Sequence, residues 1–135
     1  MNEMEQARLT LPARPESVGQ ARQWVAEVLD ANGLIHLADT AALLVSELVT
    51  NALRHSSGPY QVRVSLNPAC ATISVSDGAG GRPHRQGLAA STRPADEGEL
   101  PETGRGLLLV GALSDGWGWQ VTASGKRVWF RLEID

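Results

Sequence analysis

The sequence predicts an α/β fold: a two-layer sandwich whose mixed, mostly antiparallel sheet carries about three helices on one face, with a long lid loop over residues 78–103. Three observations point there. Segments of period-two alternation and of helical period follow one another as strand, helix, helix, strand, strand, lid, helix, strand, strand. The chain has 135 residues, 42% hydrophobic and 20% charged, which suits one domain over 1–135 and excludes wholesale disorder. The helical segments are apolar along one stripe only, so each must lay that stripe on a sheet or a neighbour.

Taken in order, residues 7–12 (Ala-Arg-Leu-Thr-Leu-Pro) alternate as a short first strand that Pro12 ends. From Ser17 a helix follows, with Val18, Ala21, Val25, Val28 and Leu29 at helical spacing and Asn32-Gly33 as its stop. A second helix spans about 37–55 on the stripe Ala41, Val45, Leu48, Val49 and Ala52. Val62, Val64 and Leu66 alternate with Gln61, Arg63 and Ser65, and Asn67-Pro68 turns the chain. Ala71, Ile73 and Val75 then alternate with Thr72, Ser74 and Ser76, which makes an antiparallel pair with the preceding strand. Residues 78–103 lose all periodicity and are longer than a passive connection in a compact domain, so the stretch is either a disordered insert or a functional lid. Leu107, Leu108, Val110 and Leu113 suit a short helix closed by Asp115-Gly116. Trp117, Trp119 and Val121 share one strand face, and Val128, Phe130, Leu132 and Ile134 share another after the turn at Gly125-Lys126.

Composition excludes several function classes. No apolar run approaches the roughly 18 residues of a membrane span, and residues 1–6 lack the basic and apolar parts of a signal peptide. A cytoplasmic protein with no membrane partner is therefore expected. The single Cys70 excludes a disulfide framework and a Cys-rich metal site. Twelve basic against fifteen acidic residues give a net charge of −3 with no basic block, which argues against nucleic acid as the main partner. His36 and His84 stand in turn or lid sequence without ligand spacing, and His55 closes a helix.

Three stretches carry chemistry. On the second helix Glu47, Asn51 and Arg54 fall within about 60° of one another, away from the apolar stripe. A carboxylate and an amide one turn apart can activate a hydroxyl and hold a hard cation, although a solvated helix face has the same pattern. Asp77 continues the phase of Ile73 and Val75 and so points to the core face. There it either awaits a donor such as the exocyclic amine of a base or merely opens an Asp-Gly turn. Thr103-Gly104-Arg105-Gly106-Leu107 enters a helix, where backbone N–H groups and the helix dipole favour anions and Arg105 can add a charge-assisted bond. An ordinary loop-to-helix turn reads the same way.

In order and spacing, Glu47-Leu-Val-Thr-Asn51-Ala-Leu-Arg-His55, then Val75-Ser-Asp77-Gly-Ala-Gly-Gly81, then the lid, then Gly104-Arg-Gly-Leu107 resemble the N box and the two glycine boxes of the GHKL ATPase/kinase superfamily. The short chain and the ending Gly125-Lys-Arg-Val-Trp-Phe-Arg-Leu132 look most like its stand-alone anti-sigma-factor serine/threonine kinase branch, of the actinobacterial type. The resemblance implies ATP and Mg²⁺ as cofactors, Glu47 as general base, Asn51 as the Mg²⁺ ligand, Asp77 on the adenine amine, and Gly81, Gly104, Arg105 and Gly106 around the nucleotide. It implies phosphorylation of a STAS-domain anti-sigma antagonist, with a sigma factor as the other partner. Members often pair as homodimers, and no residue pattern here locates an interface. One departure stands out: the first glycine box usually reads Asp-x-Gly-x-Gly, and Ala79 takes its first glycine position. That departure favours the alternative of a nucleotide-binding module that sequesters a regulator without phosphorylating it.

Overall fold

A computed structural model describes residues 5–55, 58–77, 105–122 and 125–134. Strand β1 (Glu5–Leu11) leads into helices α1 (Glu16–Ala31) and α2 (Ile35–His55), followed by β2 (Tyr60–Leu66) and β3 (Cys70–Ser76). Helix α3 (Arg105–Leu113), β4 (Gly116–Thr122) and β5 (Gly125–Glu133) complete the order. Each element matches a periodic segment of the sequence, with ends that differ by a residue or two except at β5, where Gly125 and Lys126, expected as a turn, pair within the strand with Thr122 and Val121. His36 is one difference of kind: it lies in the first turn of α2, not in a turn, and its Nε2 is 3.1 Å from the carbonyl of Ile134.

The five strands form one sheet in the order β1-β2-β3-β5-β4. All four ladders among the described residues are antiparallel, so the expected fold class is observed without a parallel neighbour pair. Topology explains this. β3 and β4 both run opposite to β5, hence in the same direction as each other, and α3 connects them in sequence. The hairpin partner β5 then enters between them and separates the one pair that could have been parallel.

One face of this sheet is apolar because alternation brings matching residues into rows. Ala7, Val64, Ile73, Phe130 and Trp117 align across all five strands, and Leu9, Val62, Val75, Val128 and Trp119 form the next row. Helix α2 covers this face at β3 and β5, with Ala41, Leu44, Val45, Leu48 and Val49 buried at helical spacing. Helix α1 packs on α2 through Ala21, Val25 and Leu29, and α3 packs beside α2. Gly33, at φ +79, ends α1 in the left-handed conformation, and Leu34 N–H bonds back to the Leu29 carbonyl at 2.8 Å. The opposite sheet face carries no helix among the described residues. Arg8, Arg63, Ser74 and Trp129 align on it, and Trp129 is half-buried there.

Phe130 sits fully buried at the centre of this arrangement, between Ile73 and Trp117. Phe130→Ala is expected to lower unfolding free energy by about 3–5 kcal/mol, the cost of a large core cavity. Urea denaturation followed by tryptophan fluorescence checks this.

Candidate functional site

The apolar rows stop one step short of the sheet's end. Continuing the register, the next row on the helix-covered face reads Leu11, Tyr60, Asp77, Lys126 and Val121. Three polar side chains thus occupy positions whose phase belongs to the core. Asp77 lies just past β3, half-buried, and is held by two hydrogen bonds to β5. Its N–H donates to the Lys126 carbonyl at 3.0 Å, and Lys126 N–H donates to its Oδ1 at 3.1 Å. Gly125 makes this clasp possible. Its φ of +148 disfavours any side chain, and a Cβ there would collide with Asp77 Oδ1.

Tyr60 ties the same row to α2. Its hydroxyl donates to the Ala52 carbonyl at 3.2 Å, and the side chain is fully buried. Burial raises the phenol pKa above its ordinary value, and the neighbouring charge of Asp77 raises it further, since both oppose a second anion.

Between α2 and the sheet end opens a shallow cleft, continuous with solvent and lined by Leu48, Asn51, Ala52, Val75, Asp77, Lys126 and Val128. Leu48, Asn51 and Ala52 face it together because residues three and four apart share a helix face. Its walls are aliphatic and its polar groups are few, the makeup of a site for a flat, mostly apolar ring with a polar edge. A purine fits that description, with Asp77 as acceptor for an amine hydrogen. Among the described residues no three His, Cys, Asp or Glu side chains gather to hold a metal ion. A divalent ion beside Asn51 would therefore take one amide oxygen from the protein and its remaining ligands from phosphates and water, the usual habit of Mg²⁺.

The structure thus brings Asn51 and Asp77 into one cleft from segments 26 residues apart in sequence. Glu47 sits one turn before Asn51, half-buried, and is not among the lining residues. It is rotated about 40° beyond Asn51, away from Leu48 and Ala52. Arg105 and Gly106 are the first two residues of α3. Gly81, Gly104, Ala79 and the lid at 78–103 lie outside the described residues. Three residues at this edge escaped sequence reasoning: Tyr60 and Lys126 in the row, and Gly125 beside it. The signal was present for two of them, since Tyr60 shares the phase of Val62 and Lys126 that of Val128.

Tyr60 is the only tyrosine, so tyrosinate absorbance near 295 nm reports it alone. The folded protein is expected to half-titrate above pH 10, and the urea-unfolded chain near 10. Because the folded state keeps its proton longer, this group leaves stability unchanged below pH 10 and reduces it as pH rises beyond that. Tyr60→Phe is expected to flatten the alkaline decline in melting temperature.

No helix among the described residues is long and apolar enough to cross a membrane. No curated protein matches the chain. A family does: residues 11–132, from the last residue of β1 to the penultimate residue of β5, match the histidine kinase-like ATPase domain, and the chain belongs to that family.

Proposed function

We propose that this protein is a Mg·ATP-dependent protein serine/threonine kinase of the anti-sigma type, whose substrate is a STAS-domain antagonist. The observation that carries the reading is the cleft itself: the amide of Asn51 and the carboxylate of Asp77 stand on one aliphatic slot, in a chain of the histidine kinase-like ATPase family. Bound Mg·ATP supplies the transferable phosphoryl group. Asp77 accepts from the base amine, and Leu48, Ala52, Val75 and Val128 enclose the ring. The amide oxygen of Asn51 holds the ion. Glu47 stands one turn before Asn51 on α2, and in this reading its carboxylate takes the proton of an incoming serine hydroxyl. Arg105 and Gly106, the first two residues of α3, serve the phosphates together with Gly81 and Gly104, since a helix N-terminus and a guanidinium both favour anions. The partner is a protein and neither nucleic acid nor a membrane, with a sigma factor as the second candidate.

A second reading, a module that binds nucleotide and sequesters a regulator without phosphorylating it, draws on Glu47 standing outside the cleft lining. Incubation with Mg·ATP labelled at the γ-phosphate and a STAS-type antagonist separates the two. The kinase reading expects labelled antagonist, and Glu47→Ala is expected to lower transfer by about 10²-fold or more while ATP affinity holds. Asp77→Ala is expected to weaken ATP binding about 10- to 100-fold in calorimetry, the value of a hydrogen bond to a charged group. ATP bound with no phosphoprotein formed would establish the second reading in its place.

A further inference from the structure

On the sheet face turned away from the helices, the central row reads Arg8, Arg63, Ser74 and Trp129, and Arg127 and Arg131 stand one step to either side of Trp129 along β5. Arg8 is exposed, and the other three arginines are half-buried around the half-buried indole. The Arg131 guanidinium lies over Gly116, where a Cβ would meet it. The hydrogen-bond acceptors here are neutral: Arg63 donates to Gln61 Oε1 at 3.1 Å and Arg131 to the Asp115 carbonyl at 2.9 Å. Among the described residues no carboxylate pairs with any of the four arginines, and the only acid in the phase of this face is Glu133, at the far end of β5.

That arrangement is a cost to the fold. Arg8 and Arg63 are directly opposed, and like charges so placed destabilise a sheet. Burial, and then the nearby Arg63 charge, lower the pKa of Arg127. The Nε atoms of Arg63 and Arg127 are both enclosed without an acceptor. Positive charge that is partly desolvated and unneutralised gains more from an incoming anion than the same charge in water.

We propose that this face is a docking surface for an acidic segment of a partner protein, which sets an apolar side chain on Trp129 and carboxylates on the guanidiniums around it. Arginine suits that task, because its planar fork pairs with a carboxylate in bidentate geometry. Alternate residues of an extended chain lie about 7 Å apart, so Arg127 and Arg131 match acids two residues before and two residues after an apolar one. A second copy of this chain lacks the complement, since a two-fold pairing of this face brings arginine against arginine. Nucleic acid is the poorer occupant. A stacking platform uses successive aromatic side chains, and this face offers Trp129 alone on a chain whose net charge of −3 repels a long polyanion. A short acidic segment senses only the local patch. The surface lies across the sheet from the cleft, so the proposal is independent of the kinase reading.

Titration of the whole nitrogen-15-labelled chain at low salt with the capped peptide Glu-Ser-Glu-Ser-Leu-Ser-Glu-Ser-Glu tests this by magnetic resonance. The Trp129 indole N–H signal, assigned by its loss in Trp129→Phe, is expected to move saturably, and added salt to weaken the binding. Arg63→Gln and Arg127→Gln are each expected to weaken it at least about fivefold while the melting temperature holds or rises, because each relieves the crowding. Arg8→Gln, at an exposed position, carries the same test should either of those variants fail to fold. No saturable shift at Trp129, equal binding of the peptide with Gln for Glu, or undiminished binding in the variants overturns the proposal. So does tighter binding of a single-stranded oligonucleotide or of phosphatidylserine vesicles at the same signals, which assigns the face to nucleic acid or a membrane. A Trp129 shift that grows with protein concentration alone assigns it to a second copy. Peptide binding only with Asp96→Asn, Glu97→Gln, Glu99→Gln and Glu102→Gln in place assigns it to the chain's own acidic stretch, and either result overturns the proposal as well.

Discussion

The clasp between Asp77 and Lys126 is the constraint from which the site follows. A carboxylate on the core face of a sheet is costly unless donors meet it, on the order of several kcal/mol for an unpaired polar group. Here the backbone of β5 meets it, through Lys126 N–H at 3.1 Å. That bond requires the start of β5 to approach β3 more closely than a side chain permits, and so Gly125 occupies the position. The same approach lies at the end of the β3–β5 ladder, with β4 on the other side of β5 and all four ladders among the described residues antiparallel. The cleft exists because this clasp ends the apolar rows early, leaving α2 to overhang a polar edge.

Helix α2 depends on that edge as much as on its own stripe. Its buried Ala41, Leu44, Val45, Leu48 and Val49 hold it down on β3 and β5, and Ala52 and Leu53 pack against the same core in its last turns. Tyr60 adds a polar tie there by donating to the Ala52 carbonyl, one residue after Asn51. The distance between the Asn51 amide and the Asp77 carboxylate is therefore set from both sides: by helix packing along the stripe, and by one phenol that stands in the same sheet row as Asp77. Burial and the charge of Asp77 both keep that phenol protonated, and only the protonated form can donate.

Most of the fold was legible because it rests on periodicity. All eight elements coincide with runs of period two or 3.6, and the shared face of Val128, Phe130 and Leu132 is the buried one. Pairing order was not legible, since nothing local in the sequence states that β5 inserts between β3 and β4. Of the cleft lining, Asp77 was readable from its phase and Asn51 from the polar stripe of α2, while Glu47 on the same stripe stands outside the lining. Tyr60 and Lys126 were hidden by the opposite habit of reading: a tyrosine among valines looks like core, and a lysine after a glycine looks like a turn. Both become site residues only when the register lays them beside Asp77. Gly125 needed three dimensions altogether, because its necessity lies in an atom 48 residues away in sequence.

Charge is distributed so that the cleft must attract an anion locally. The chain carries a net −3, and part of its positive charge lies on the sheet face turned away from α2. There Arg8 and Arg63 face each other across β1 and β2, while Arg127 and Arg131 follow along β5. Burial and the neighbouring Arg63 charge lower the pKa of Arg127, a sign that these guanidiniums crowd one another. Their field reaches the cleft only through the sheet and its solvent rim, where screening over about 8 Å at physiological salt weakens it. On the helix side, the backbone N–H groups at the start of α3 favour an anion. With a net charge of −3, any pull on an anion at this edge of the sheet is therefore local and short-ranged.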